Sequence, residues 1–196
     1  MAEATIAVPV GTARPSAPEK LVIAVLLADS ALAGSVRGRV GSELGDVDWA
    51  SELLDFGFTR YYEDEMGSRL FRLFLSLKEL VDPAELARLK LATNALERDF
   101  TVGGRRRVNL DPGLLSSSRF ILASTKDSSH RVPLGGGIYA EVTLMFERGA
   151  WRPVEWTYPD YASDAYREIL REVRARYLAE LRTLQAARTR GAGNHV

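Results

Sequence analysis

Residues 105–161 read RRRVNLDPGLLSSSRFILASTKDSSHRVPLGGGIYAEVTLMFERGAWRPVEWTYPDY, and the alternation within them decides the fold. Val108 and Leu110 alternate with Arg107, Asn109 and Asp111, and Phe120–Lys126 forms a second apolar run. In a third, Ile138, Ala140, Val142, Leu144 and Phe146 alternate with Tyr139, Glu141, Thr143, Met145 and Glu147. A period of two is the mark of strands with one apolar face. Arg148-Gly149-Ala150 reads as a turn into a last strand, Trp151–Thr157, and Pro153 assigns that strand to a sheet edge because proline cannot donate to a ladder. Pro112-Gly113 reads as the end of the first strand, with proline leaving the ladder and glycine turning the chain.

Upstream, Leu21–Leu27 (LVIAVLL) is continuously apolar, as a central strand covered on both faces must be. Residues 28–54 hold a helix and a loop. Phe56–Glu63 and Arg69–Lys78 read as a hairpin turning at Met66-Gly67-Ser68. Asp82-Pro83-Ala84-Glu85 is a helix start: Asp82 caps, Pro83 has its φ preset, and Glu85 completes a capping box. That helix runs to Asp99 and buries Leu89, Ala92, Leu96 and Phe100. A long helix from Ser163 closes the chain, with Tyr166, Ile169, Leu170, Val173, Tyr177, Leu181 and Leu184 on one stripe. Such a stripe packs on a sheet or serves as a homo-oligomer contact. The expected fold is α+β: one domain, mainly antiparallel, with a ferredoxin-like β-α-β-β-α start, extra C-terminal hairpin strands and a long C-terminal amphipathic helix.

With 196 residues the chain supports one domain and one core. Residues 1–19 read as a flexible leader, 20–185 as the domain, and 186–196 as a disordered tail, which leaves His130 as the only histidine of the folded body. There is no cysteine, which removes disulfides, thiolate metal sites and cysteine nucleophiles and agrees with a cytoplasmic location. The formal net charge is zero, so no global field draws the chain to nucleic acid or to anionic membrane. Leu21–Leu27 is too short to span a bilayer. No G-x-x-x-x-G-K-[ST] pattern occurs, so P-loop nucleotide chemistry has no support.

Several groups can carry chemistry, each with a plainer alternative. Asn109 and Asp111 at a strand end suit a metal ion or a ligand hydroxyl, or simply a turn. In the loop 124–131, Lys126, His130 and Arg131 can grip a phosphate or carboxylate, and His130 can act as acid or base. Equally, a polar loop carries such residues because water surrounds it. Glu141 is an ordinary solvated residue on an open sheet face; under a covering helix it is a buried carboxylate that needs a cation or a metal. Lys90, Asn94 and Glu97 share one row of the Asp82–Asp99 helix, taken alone a solvated flank, otherwise the wall of a site. Gly135–Gly137 reads as a hairpin connection. Trp156–Tyr161 closes the core, with stacking on a ligand as the alternative and Asp160 as its carboxylate. Tyr61-Tyr62-Glu63-Asp64-Glu65 reads as a solvated turn, and Arg105–Arg107 is too short a basic run to mark nucleic-acid binding.

Taken in order, several motifs resemble the mostly bacterial domain-of-unknown-function family 4416. They are Phe58-Thr59-x-Tyr61-Tyr62-x-x-Glu65-Met66-Gly67, Lys90-x-x-Thr93-Asn94-x-x-Glu97 and Val108-Asn109-x-Asp111-Pro112-Gly113. Ser124-Thr125-Lys126, His130-Arg131, Gly137-Ile138-Tyr139-x-Glu141-Val142-Thr143-Leu144 and Trp156-Thr157-Tyr158-Pro159-Asp160-Tyr161 continue the series. The resemblance implies no activity, but its motifs coincide with the polar groups above, which points to one composite site.

The expected function is binding, with turnover left open, of a phosphorylated or otherwise anionic small molecule such as a nucleotide. Lys126, His130 and Arg131 hold the anion. Asp111 and Glu141 hold a divalent cation such as Mg²⁺ or, with His130, move a proton. Lys90, Asn94, Asn109 and Asp160 orient the ligand. The alternative is a non-catalytic module whose final helix or open sheet face binds a protein or RNA.

Overall fold

The computed structural model describes residues 11–192. In chain order its elements are β1 (Glu19–Leu27), α1 (Ala33–Leu44), β2 (Val47–Ala50), β3 (Leu54–Phe56), the single-turn α2 (Glu63–Met66), β4 (Leu70–Val81) and α3 (Leu86–Asp99). There follow the small ribbon β5 (Thr101–Val102) and β6 (Arg105–Arg106), then β7 (Val108–Leu115), β8 (Arg119–Ser124), β9 (Val132–Gly135), β10 (Ile138–Glu147), β11 (Ala150–Pro153) and α4 (Asp164–Ala192). The main sheet runs β11-β10-β8-β7-β1-β4-β2, with β3 added to β4 and β9 to β10, and every pairing is antiparallel.

The order β7-β1-β4-β2, with α1 and α3 on one face, is that of a ferredoxin-like β-α-β-β-α-β unit, so the expected start extends one strand further. β8, β10 and β11 prolong the sheet, and β11, which carries Pro153, is its outer strand. Leu21–Leu27 lies at the centre of a three-layer sandwich and is fully buried. Its odd-numbered residues pack with Val36 and Val40 of α1 and Leu86, Leu89 and Leu96 of α3. On the other face Val22 and Ala24 pack with Tyr166, Leu170, Val173 and Tyr177 of α4. Each aliphatic chain buried in this way contributes about 1.5–3 kcal/mol relative to exposure, which is why the chain can hold so continuous an apolar run.

Several local expectations are corrected. The hairpin predicted at 56–63 stops at Phe56; α2 and its flanking loops, residues 57–69, separate β3 from β4. Pro112 and Gly113 lie inside β7, opposite Ile23 and Val22. Proline is tolerated there because the β7–β8 ladder begins only at Gly113. Gly113 is required by packing and not by a turn: an added Cβ would stand 2.5 Å from the Phe120 ring. β10 carries a bulge between Val142 and Leu144, so Ile138 and Ala140 face α1 and α3 while Leu144 and Phe146 face α4. Asp82 accepts the N–H of Ala84 at 3.0 Å as expected, but Glu85 pairs with Arg88 and makes no capping box.

Gly135–Gly137 does form the β9–β10 hairpin, with φ of +94°, +61° and +75°, a run that side chains with a Cβ strongly resist. Helix α4 continues through residues 186–192, into the stretch read as a tail. Residues 1–10 of the expected leader and 193–196, with His195, lie outside the described residues. Among the described residues no helix is long and apolar enough to cross a membrane.

Candidate functional site

The site grows from a fork in the sheet. β7 and β8 pair only from Gly113 to Leu115, opposite Leu122 to Phe120; before Gly113 the two strands part. A backbone left open there needs other partners, and α3 supplies them with side chains. Glu97 Oε1 accepts the N–H of Leu110 at 2.7 Å, and Lys90 Nζ donates to the Leu110 carbonyl at 2.8 Å. Lys90 and Glu97 are therefore buried in place of a missing strand, and not the solvated flank that their spacing alone suggested.

Strand register then sets the floor. Arg72, Leu26 and Asn109 lie abreast on β4, β1 and β7; Phe74, Ala24 and Asp111 form the next row; Gly113, Leu122 and Glu141 continue across β7, β8 and β10. Helix α4 covers the apolar part of this face and begins at Asp164, leaving the polar end to a cavity of about 680 Å³. Tyr61 and Tyr62, before α2, and Tyr158–Tyr161, before α4, complete the wall.

Three ion-paired groups surround the cavity. In the first, Arg106 binds Glu65 (2.9 Å), Glu97 (2.7 Å) and Asn109 Oδ1 (2.8 Å). Asn109 Nδ2 passes the chain to Asp111 at 2.6 Å, and Lys90 closes it on the other Asp111 oxygen at 3.0 Å. In the second, Glu141 accepts Arg131 Nε at 2.7 Å and lies 3.3 Å from His130 Nε2, while Arg131 also donates to Ser124, the Lys126 carbonyl and Tyr158 Oη. In the third, Arg72 donates to Asp160 at 3.2 Å and to Tyr166 Oη at 3.1 Å.

Burial and charge pull these groups in different directions. Burial opposes ionisation of Asp111, but Lys90, Arg72 and Asn109 outweigh it and hold the carboxyl below its ordinary value. Asp111 lies deep in the molecule, yet its side chain is 27% exposed, because that exposure is to the cavity. For Asp160 burial wins over Arg72 and raises the carboxyl above its ordinary value. Arg72 stays charged: desolvation works against it, and the Asp160 and Asp111 carboxylates are the negative charges that offset this. Arg72 Nη1 and Tyr161 Oη, in two residues of the cavity wall, are buried without a hydrogen-bond partner. Burial lifts the Tyr161 hydroxyl well above its usual range, so it stands as a donor.

Of the residues singled out from sequence, Lys90, Asn94, Asn109, Asp111, Lys126, Arg131, Glu141 and Asp160 all line this one cavity. His130 does not line it. It stands behind Glu141, stacked on Trp156 with ring centroids 5.1 Å apart and bonded to Ser128. The expected neighbour Arg107 turns away to Asp29, because β7 begins only at Val108 and strand alternation does not reach residue 107. Arg106 takes its place. Arg72 also lines the cavity. Phe71, Leu73, Leu75 and Leu77 alternate with Arg72, Ser76 and Lys78, and that spacing alone puts Arg72 on a polar face. Tyr61 and Tyr62 line the cavity too, although their segment reads as a solvated turn. The only signal for Arg72 was the blurred alternation of β4, where Leu70 and Phe74 mark the second face as buried as well.

Among the described residues no three His, Asp or Glu side chains stand together as a metal cage. Asp111 and Glu141 instead take their hydrogen bonds from separate cations, Lys90 and Arg131. The wall as built neutralises its carboxylates internally.

Residues 17–177 match the model of the family described as Domain of unknown function (DUF4416). No curated protein and no solved structure matches the chain.

Proposed function

The chain belongs to the DUF4416 family, whose description names no activity, and we propose from its geometry that it binds a small anionic molecule, phosphorylated or carboxylated, in the forked-sheet cavity. Lys126 carries this reading. Five cations line the cavity against four carboxylates. Arg72, Lys90, Arg106 and Arg131 each stand within 3.2 Å of a wall carboxylate. Among the described residues Lys126 has no such partner, and its ammonium rests 4.0 Å from the centre of the Tyr61 ring. An ammonium with no carboxylate of its own, beside a wall that is paired internally, is free to meet an anionic ligand. The volume lies within the roughly 300–1,000 Å³ typical of small-molecule sites.

The paired wall has a second use. Arg131 and Arg106 are fixed by two or more bonds each, so they present preset donors to an incoming oxygen with little further ordering. Binding is the role this supports. A ligand of the folded state stabilises it by mass action, by about 2.7 kcal/mol at a hundred times its dissociation constant, and so raises the unfolding temperature. Ribose 5-phosphate, inorganic phosphate and succinate, with and without Mg²⁺, form the first panel for a thermal-shift assay. At least one should stabilise the protein, and Lys126→Gln should cut the shift. A flat response across the panel would remove this reading and favour the interaction module.

A further inference from the structure

Resting on that reading, we infer that the ligand carries a planar ring beside its anionic group, and that the Lys126–Tyr61 contact is a placeholder which such a ligand replaces. The first observation is where the exposed aromatic rings lie. Only Phe58, Tyr61, Trp156 and Tyr158 are exposed among the described aromatic side chains. Phe58, Tyr61 and Tyr158 line the cavity, and Trp156 stacks on His130, which reaches Glu141 of the wall. Scattered apolar exposure is ordinary, but exposed rings gathered at one opening mark a binding surface.

The second observation is how each ring is occupied. Phe58 leans on Phe56 and Tyr166, and the Tyr158 hydroxyl accepts Arg131 at 2.7 Å. Trp156 is stacked on His130 and donates its N–H to the Val142 carbonyl at 2.9 Å. Tyr61 differs. It is 63% exposed, meets Tyr62 edge-on at 5.0 Å, and among the described residues carries over its face only the ammonium of Lys126. A cation over an exposed ring is held weakly. An anion competes for that ammonium more strongly than the ring does, and once Lys126 turns to the anion the Tyr61 face is bare. A ring attached to the same ligand fills it. One molecule with both parts satisfies the cation and the ring together; a ring-free anion exposes Tyr61, and a neutral ring leaves Lys126 without a counterion.

Isothermal titration calorimetry of the full chain with ribose 5-phosphate and with the four ribonucleoside monophosphates separates these parts, since every base offers a π face. The ring should tighten binding about 5- to 100-fold over ribose 5-phosphate. Tyr61→Phe should keep that advantage, and Tyr61→Leu should reduce the monophosphates to the level of ribose 5-phosphate. Tyr61 is exposed enough that the unfolding temperature of either variant should match the wild type. Lys126→Gln should weaken ribose 5-phosphate and the monophosphates alike. If ribose 5-phosphate binds through Lys126 but no monophosphate binds more tightly, or if Tyr61→Leu keeps the advantage, the ring inference is overturned and the anion site stands. If none of the five compounds binds, both are overturned.

Discussion

Replacing Glu97 separates the two tasks of its carboxylate. Oε1 accepts the Leu110 N–H at 2.7 Å, Oε2 accepts Arg106 at 2.7 Å, and the side chain is only 8% exposed. In Glu97→Gln the amide oxygen can still receive Leu110, while Arg106 loses an ionic partner. Arg106 keeps Glu65 and Asn109 and is partly exposed, so the loss falls below the 3–5 kcal/mol typical of a broken buried pair, at about 1–2 kcal/mol. Glu97→Leu also strands the Leu110 N–H without an acceptor, which adds about 1–3 kcal/mol. In a chain of this size each kcal/mol lowers the melting temperature by about 2–4 °C, so the two variants should part by several degrees. Urea unfolding gives the difference, and amide exchange at Leu110 locates it: fast in Glu97→Leu, protected in Glu97→Gln. Equal midpoints with equal exchange would show that Glu97 does not stand in for a strand, and the account of the fork would fail.

Other outcomes follow from single contacts. Gly113→Ala forces a Cβ to 2.5 Å from the Phe120 ring and 2.9 Å from the Ile121 carbonyl; overpacking of this kind costs about 1–3 kcal/mol, and adding Phe120→Leu should restore part of it in a urea titration. Lys20→Met leaves Asp48 and Glu180, now 2.6 and 2.7 Å from the buried ammonium, without their cation. Its cost should sit near the lower end of about 3–5 kcal/mol in a urea titration, because both carboxylates are partly exposed. Asp111 and Asp160 should give acid-side slopes of opposite sign. The lowered Asp111 contributes stability above the ordinary carboxyl value of 3.8 that is lost as pH falls through its folded value. The raised Asp160 binds its proton first in the folded state, so the fold gains stability as pH falls from its raised value toward 3.8. Melting temperatures of Asp111→Asn and Asp160→Asn between pH 7 and pH 3, each compared with wild type, should show the two slopes removed separately.

Sequence pattern revealed the layers better than the contacts between them. Leu21–Leu27 identified the central strand because seven apolar residues without interruption suit burial on both faces, and Asp82-Pro83 identified the start of α3 because capping is local chemistry. The polar residues of the site were also visible, since Asn109, Asp111 and Glu141 alternate with apolar residues in strands and Lys126 and Arg131 stand in one polar loop. What the sequence could not carry was pairing at a distance. Arg72 and Asp160 are 88 residues apart, and the packing of the segment before α4 over β4 brings them together. His130 was visible as a titratable group, but its place behind Glu141 depends on the stack with Trp156, a contact no spacing encodes. The fork at Gly113 escaped notice for a related reason. Proline and glycine have strong local meanings as turn formers, and here tertiary packing overrides them.

The bulge in β10 makes the length of that strand as consequential as its composition. One extra residue near Thr143 lets Ile138 and Ala140 serve one layer while Leu144 and Phe146 serve the opposite one. Deleting a single residue between Val142 and Leu144 would restore a regular alternation and turn one of these pairs away from its layer. Every individual side chain could be retained and one layer would still lose its apolar contribution. The segment should therefore accept exchange of one aliphatic residue for another far more readily than any change in the number of residues.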